Sequence, residues 1–367
     1  MADTNLYVDS DSKLTALLAS IATEPALALD TEFVREKTYY PKLCLIQIAT
    51  PKLTACIDCL ADIDLAPLFN RLFKADCTWV LHSARQDLEV MYQQGRQLPH
   101  ELIDTQIAAA LLGHTPQIGL QDLLSEELGV DLDKGFARSD WSRRPLPEAA
   151  VRYALDDVRY LLPLWQILAQ KLNVLQRGDW LTSDCVAVLN TPPVTPPLTL
   201  WTRLRGLRSM DPQRQCAALA LVTWRERYAQ SLDQPRRWIM SDELLLRIAK
   251  SLPENLESLQ AVDEMPRRLA NRSGHELLAA LQDSDGADQR MLIETHLPPK
   301  RPEKRELQTL HERVRARAGE LGLHNEVLAT RREIGEFLVG RTSGRIDSGW
   351  RQAELQCLLA DHPENGQ

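Results

Sequence analysis

The sequence predicts an α/β domain built on a mixed sheet, followed by an all-helical C-terminal half. Three observations lead there. Apolar runs of strand length crowd the first sixty residues, helical patterns take over after them, and a proline cluster near residue 190 separates two different textures.

The strands come first. "ALALDTEF" (26–33), "LCLIQIAT" (43–50) and "KLTACIDC" (52–59) are joined by short polar or proline-containing pieces, the pattern of consecutive strands that meander antiparallel. A fourth run, "CTWVLHSA" (77–84), follows a helix predicted around "DLAPLFNRLF". Helical periodicity then dominates in "RQDLEVMYQQ", "DTQIAAALLG", "GLQDLLSEEL" and the long "PEAAVRYALDDVRYLLPLWQILAQKL". Pro192, Pro193, Pro196 and Pro197 hold neither helix nor central strand, so this stretch reads as an interdomain spacer. A second proline-rich break stands at "HLPPKRPEK".

The expected organisation is an α/β domain over 1–190, a linker over 191–200, a helical domain over 201–285, a linker over 286–303 and a second helical domain over 304–367. The two helical segments share a theme. "WRERYAQSLDQP" running into "SDELLLRIAKSLP" is echoed by "VRARAGELGLHN" running into "EVLATRREIGEFL".

Composition narrows the chemistry. A net charge of -8 argues against indiscriminate coating of duplex nucleic acid, but not against nucleic acid as a substrate. Of the seven cysteines only Cys56 and Cys59 are close, with no second pair or nearby histidines, so buried thiols are expected rather than zinc. "MADTNLYVDS" lacks the features of a signal peptide, and no apolar run approaches the roughly 20 residues that span a bilayer. A cytoplasmic protein with no membrane association is expected.

Asp30 and Glu32 pose the chemical question. Side chains of an extended strand alternate faces, so both carboxylates project to one side at the end of a buried strand. Like charges so close disfavour the ionised pair unless a cation lies between them. A hard divalent cation takes several oxygen ligands, so further carboxylates are needed. Asp87 follows His82 by five residues where a strand runs into a helix; it reads either as a functional group or as a first-turn acid favoured by the helix dipole. In "AVRYALDDVRYLLPLW", the stripe of Val151, Ala154, Leu155, Val158, Leu161, Leu162 and Trp165 places Asp157 at the core margin and Asp156 toward water. Tyr153, four residues before Asp157, neighbours it on the same helix face.

D-x-E on the first predicted strand, H-x4-D after the fourth and Y-x3-D on a later helix, in that order, resemble the three motifs of the tyrosine-bearing branch of the DEDD exonucleases. "DTEFVREKTYYPKLCLIQIA", "HSARQDLEV", "DTQIAAALLG" and "KGFARSDWSRRPLP" are similar to ribonuclease D, and the resemblance continues into two tandem helicase-and-ribonuclease-D C-terminal (HRDC) domains. It implies a ribonuclease H-like exonuclease domain with a mixed sheet, followed by two small all-α HRDC-like domains.

The resemblance further implies that Asp30, Glu32, Asp87 and Asp157 hold two divalent ions, Mg2+ or Mn2+. Asp30 would bridge them, Glu32 and Asp157 would complete one, Asp87 would support the other, and Tyr153 would orient the attacking water. The implied partner is RNA with a free single-stranded 3′ end, tRNA precursors among them, cut to nucleoside 5′-monophosphates, with no obligate protein partner. Thr31, Phe33, His82, Lys134 and Arg138 are candidate substrate contacts; Phe33 reads equally as a core residue, and Lys134 and Arg138 as solvated loop cations. Arg205, Arg208, Arg225, Arg227, Arg236 and Arg237 suit phosphate contact or ordinary charged helix faces. A DNA 3′ exonuclease and a non-catalytic RNA-binding scaffold remain as alternatives.

Overall fold

The computed structural model describes residues 4–132, 135–136, 139–284, 286–297, 302–341 and 344–360. In chain order the first elements are β1 (Thr4–Val8), α1 (Asp11–Ile21), β2 (Ala26–Val34), β3 (Lys42–Ala49), β4 (Leu53–Asp58), α2 (Ala66–Leu72), β5 (Thr78–Leu81) and α3 (Arg85–Gly95). Then come β6 (Glu101–Asp104), α4 (Thr105–Leu111), α5 (Leu120–Leu128), α6 (Glu148–Arg159), α7 (Leu161–Val174) and α8 (Gly178–Asn190). The remainder is helical: α9 (Pro197–Thr202), α10 (Pro212–Ser231), α11 (Arg236–Ile239), α12 (Asp242–Ser251), α13 (Leu256–Gln260), α14 (Arg267–Gln282), α15 (Ala287–His296), α16 (Lys304–Glu320), α17 (Asn325–Leu328), α18 (Arg331–Phe337) and α19 (Gly349–Ala360).

The strands form one sheet in the order β1-β4-β3-β2-β5-β6. β3 and β4 are antiparallel, whereas β1 runs parallel to β4, and β5 lies parallel to both β2 and β6. The sheet is therefore mixed, as expected. Its centre is buried: every residue of β4 is buried, and only Lys42 of β3 is exposed. The edges β1 and β6 are additions to the sequence reading; they are short, and their outer residues are polar and exposed.

The long helix expected over 147–172 is two helices meeting at Tyr160. Pro163 explains the break, because it has no N–H to continue the ladder but fits the first turn of a new helix, where donors go unpaired anyway.

Two compact units share the chain: Met1–Val34, Leu43–Pro193 and Pro299–Gln367 in one, Arg35–Lys42 and Val194–Pro298 in the other. In the first unit, Leu310, Val314, Ile346, Trp350 and Leu355 belong to the same buried apolar cluster as Leu27 and Trp79. The Trp350 ring stacks on Trp180 of α8 with centroids 4.2 Å apart, and Arg351 pairs with Asp184 of the same helix at 2.5 and 2.8 Å. The segment after the second proline-rich break is thus packed into the unit that holds the sheet.

The second unit has its own core, from Trp201 through Leu221, Ile248 and Leu277 to Ile293. Tyr39 belongs to it. The Tyr39 hydroxyl donates to Glu226 at 2.9 Å and accepts from Gln230 at 3.0 Å, and one Asp233 oxygen accepts the backbone N–H groups of Tyr39 and Tyr40, each at 3.0 Å.

The echo noticed in sequence has a structural counterpart. α10, α11 and α12 run as a long helix, a single turn, and a helix capped by Ser241; α16, α17 and α18 repeat that order with Thr330 as the cap.

Candidate active site

β2 lies between β3 and β5, so its first half must be apolar, and Leu27, Ala28 and Leu29 are buried. Ala28 packs in one cluster with Val158 of α6. Two residues on, Asp30 shares Ala28's face of the strand, and Asp157 precedes Val158 on the helix. This packing brings the two carboxylates together. One oxygen each from Asp30, Glu32 and Asp157 lie within 4.8 Å of one another.

Asp87 arrives from a different helix, α3. It sits in the first turn of α3, which packs on β2, and it is 7% exposed. Its Oδ1 accepts the Thr31 backbone N–H at 3.1 Å and the Thr31 hydroxyl at 2.6 Å. The residue between the two paired carboxylates therefore holds the fourth.

The electrostatics follow from the crowding. Burial, then the charges of Asp87, Asp157 and Glu32, push the Asp30 carboxyl well above its ordinary range. Burial and the charges of Asp157 and Asp87 push Glu32 up to about 9. Asp157 rises to about 7 through burial and its neighbour Asp156, and Asp87 to about 7, chiefly through burial against the opposing hydrogen bonds from Thr31. The charges that act on Asp30 and Glu32 are all carboxylates. Four hard oxygen donors that repel one another fit one or more divalent cations of the Mg2+ or Mn2+ type.

Tyr153 hydrogen-bonds Asp157, and its phenol is raised by burial and by the charges of Asp157, Glu32 and Asp30. Its ring packs against Phe136 and Trp141, each with centroids 6.2 Å away. A cleft of about 140 Å³ opens here, lined by Leu132, Ala149, Arg152, Tyr153, Asp156 and Asp157. Asp156 pairs with Arg159 at 2.9 Å.

Among the remaining sequence candidates, Thr31 is buried and committed to Asp87. Phe33 is partly buried against the main core. Both ring nitrogens of His82 are engaged inside the fold, one with the Thr105 hydroxyl and one with the Ile118 carbonyl, each at 3.0 Å. Lys134 and Arg138 lie outside the described residues. The sequence reading passed over Arg152, the cation that lines the cleft, and the Phe136 and Trp141 rings that seat Tyr153. Adjacency to Tyr153 was the available signal for Arg152; the aromatic pair had none, because its contacts are non-local.

Residues 6–173 match the family described as 3′-5′ exonuclease, and residues 217–281 match the HRDC domain. The chain is 39% identical to ribonuclease D of Gluconacetobacter diazotrophicus, an alignment covering 75% of this chain and 71% of that protein. It is 36% identical to ribonuclease D of Xanthomonas oryzae pv. oryzae over 96% of this chain and 97% of the relative. The chain belongs to the ribonuclease D family. The crystal structure of Escherichia coli ribonuclease D, described as an exoribonuclease involved in structured RNA processing, superposes with a TM-score of 0.82 at 29% identity, covering 96% of this chain and 97% of that one. As a ribonuclease D family member the chain is a 3′-5′ exoribonuclease, with one HRDC domain matched in its helical region. Among the described residues no helix is long and apolar enough to cross a membrane.

Proposed function

We propose that this ribonuclease D family member trims the 3′ ends of tRNA precursors and other small structured RNAs by two-metal-ion hydrolysis, releasing nucleoside 5′-monophosphates one at a time. The observation that carries the reading is the convergence of Asp30, Glu32 and Asp157, with Asp87 tied to the strand between the first two. In this reading Asp30, Glu32 and Asp157 hold one divalent cation, and Asp30 and Asp87 hold a second. When bound, the pair supplies Lewis acidity toward the scissile phosphate, acidifies the attacking water and stabilises the departing 3′ oxygen.

The protein's own groups do the positioning. Tyr153 keeps its proton, since burial and three carboxylates disfavour the phenolate, so its hydroxyl orients water rather than acting as a strong base. Phe33, next to Glu32 and partly buried, gives the terminal base a stacking surface. The end admitted to such a site is single-stranded, and the 3′-5′ direction of the matched family means that RNA is consumed from its 3′ hydroxyl. The helical unit adds RNA contacts and effective concentration.

The test is a time course on tRNA bearing extra 3′ residues, with Mg2+ or Mn2+, beside matched single-stranded RNA and DNA oligonucleotides. A ladder of single-nucleotide steps halting near the mature end, with 5′-monophosphates released and DNA spared, is expected. Equal digestion of DNA would move the substrate class, which rests on contacts to the 2′-hydroxyl. Binding without mononucleotide release under either metal would leave only a scaffold.

A further inference from the structure

Asp104 lies outside the carboxylate cluster, at the point where β6 turns into α4, and is 4% exposed. Its two oxygens accept three backbone N–H groups. The one from Gln106, at 2.9 Å, is the local cap of α4. The other two come from Ser83 at 3.0 Å and Ala84 at 2.9 Å, in the turn that joins β5 to α3. Ser83 there has a φ of 61°, a left-handed conformation that a residue with a Cβ adopts only when its surroundings hold it.

That turn sets the start of α3. Ala84 is its N-cap and Asp87 lies in its first turn. The residue before the turn is held from the same side, His82 by Thr105 and Ile118, while the Thr105 hydroxyl also reaches the Leu81 carbonyl at 3.0 Å. A serine or threonine at 104 would cap α4 as well as aspartate does. Only a side chain with two oxygens and aspartate's reach serves the cap and both distant amides at once.

We propose that Asp104 is a positioning residue for Asp87: by accepting the Ser83 and Ala84 amides it fixes the left-handed turn, and with it the rotation of α3 that delivers the Asp87 carboxylate to Thr31 and to its cation. The inference rests on the reading that Asp87 holds a divalent cation. Asp104 itself touches neither cation nor RNA, so its loss weakens the metal site while leaving RNA capture alone.

Asp104→Ser in the full-length chain separates the two jobs, since its hydroxyl keeps the cap on α4 but falls short of residues 83 and 84. Mn2+ binding by calorimetry, kcat and KM on a single-stranded oligoribonucleotide, and amide exchange over residues 83–87 are measured beside Asp87→Asn. Mn2+ affinity and kcat each falling roughly tenfold or more, with KM for RNA within about twofold and faster exchange in the turn, are expected. Parental Mn2+ affinity and kcat in Asp104→Ser, with Asp87→Asn impaired, overturn the inference alone. Parental Mn2+ binding in Asp87→Asn overturns the reading of Asp87, and the inference with it. If Asp104→Ser does not fold, Asp104→Asn gives the same readouts, because it preserves shape but turns an amide donor toward an N–H.

Discussion

Thr31 and Asp87 meet twice: the hydroxyl and the backbone N–H of Thr31 donate to the same Asp87 oxygen, at 2.6 and 3.1 Å. The contact joins the strand that carries two carboxylates to the helix that carries a third. Thr31→Val removes the hydroxyl and keeps the shape. We expect a loss of about 1.5–3 kcal/mol of stability, the range for hydrogen bonds to a charged group, together with a fall in kcat. Denaturant melts and steady-state kinetics check it; unchanged kcat would mean that Asp87 needs no such hold.

The crowded carboxylates make stability depend on pH in an unusual direction. Glu32 is pushed up to about 9, and Asp87 and Asp157 to about 7, in the folded protein, whereas unfolded carboxyls titrate near about 4. The folded state therefore binds more protons between these limits. Its stability from these groups is complete below about pH 4 and is lost as pH rises through about 7 and then about 9. Metal-free protein should melt progressively lower from pH 5 to pH 9, and saturating Mn2+ should flatten the slope. Asp30→Asn, metal-free, should be more stable than the parent at pH 8 and yet inactive. A melting temperature that climbs over this range would contradict the assignment.

Adjacent aspartates on α6 should behave differently. Asp156 pairs with Arg159, whereas Asp157 joins Asp30 and Glu32. Asp156→Ala is expected to hold kcat within about threefold, and Asp157→Ala to lose most of it. Because the Asp156 charge helps to raise Asp157, its removal should also move the onset of activity to lower pH. Equal, severe losses in both variants would refute the distinction.

The segment after residue 298 should matter for folding of the unit that contains the sheet. Arg351 and Asp184 are both largely buried and bonded to each other. Arg351→Ala strands the carboxylate, at a cost of about 3 kcal/mol or more. Accordingly a chain ending near Val194, which keeps all four clustered carboxylates, should still be prone to aggregation, because it lays bare the apolar surface that Trp350 and Leu355 cover. Sedimentation and calorimetry would decide; a soluble, cooperatively melting truncation is the contrary result.

Four arginines of the helical unit, Arg225, Arg227, Arg236 and Arg237, divide into two pairs. Arg225 is 2% exposed and bonds Asp242 and the Met240 carbonyl, and Arg236 pairs with Glu226, so these serve structure. Arg227 and Arg237 are exposed. Arg227→Ala and Arg237→Ala should raise KM for structured RNA and reduce the salt slope by about 1 each, with kcat preserved. Arg225→Ala should instead lower the melting temperature. Titration across a salt series separates the cases.

What could be read in sequence was local. Period two put Asp30 and Glu32 on one face, and the helical period chose between Asp156 and Asp157 because the apolar stripe was strong. The break at Tyr160 was signalled by Pro163 but obscured by apolar residues on both sides of it. β1 and β6 are edge strands whose exposed ends imitate loops. The bond between Thr31 and Asp87, the rings around Tyr153 and the stacking of Trp180 on Trp350 left no trace, since each joins residues distant in the chain by tertiary packing alone.

The Tyr39 anchorage has a consequence for inheritance. Residues 35–42, between β2 and β3, belong to the helical unit, so the chain enters and leaves that unit twice. A chimera that exchanges only Val194–Pro298 between relatives would take Tyr39 from one parent and Glu226, Gln230 and Asp233 from the other. The helical unit is not a cassette with two ends. Recombination that preserves it has to carry two separate stretches of the gene together, since Tyr39 and the side chains that hold its hydroxyl lie nearly two hundred residues apart.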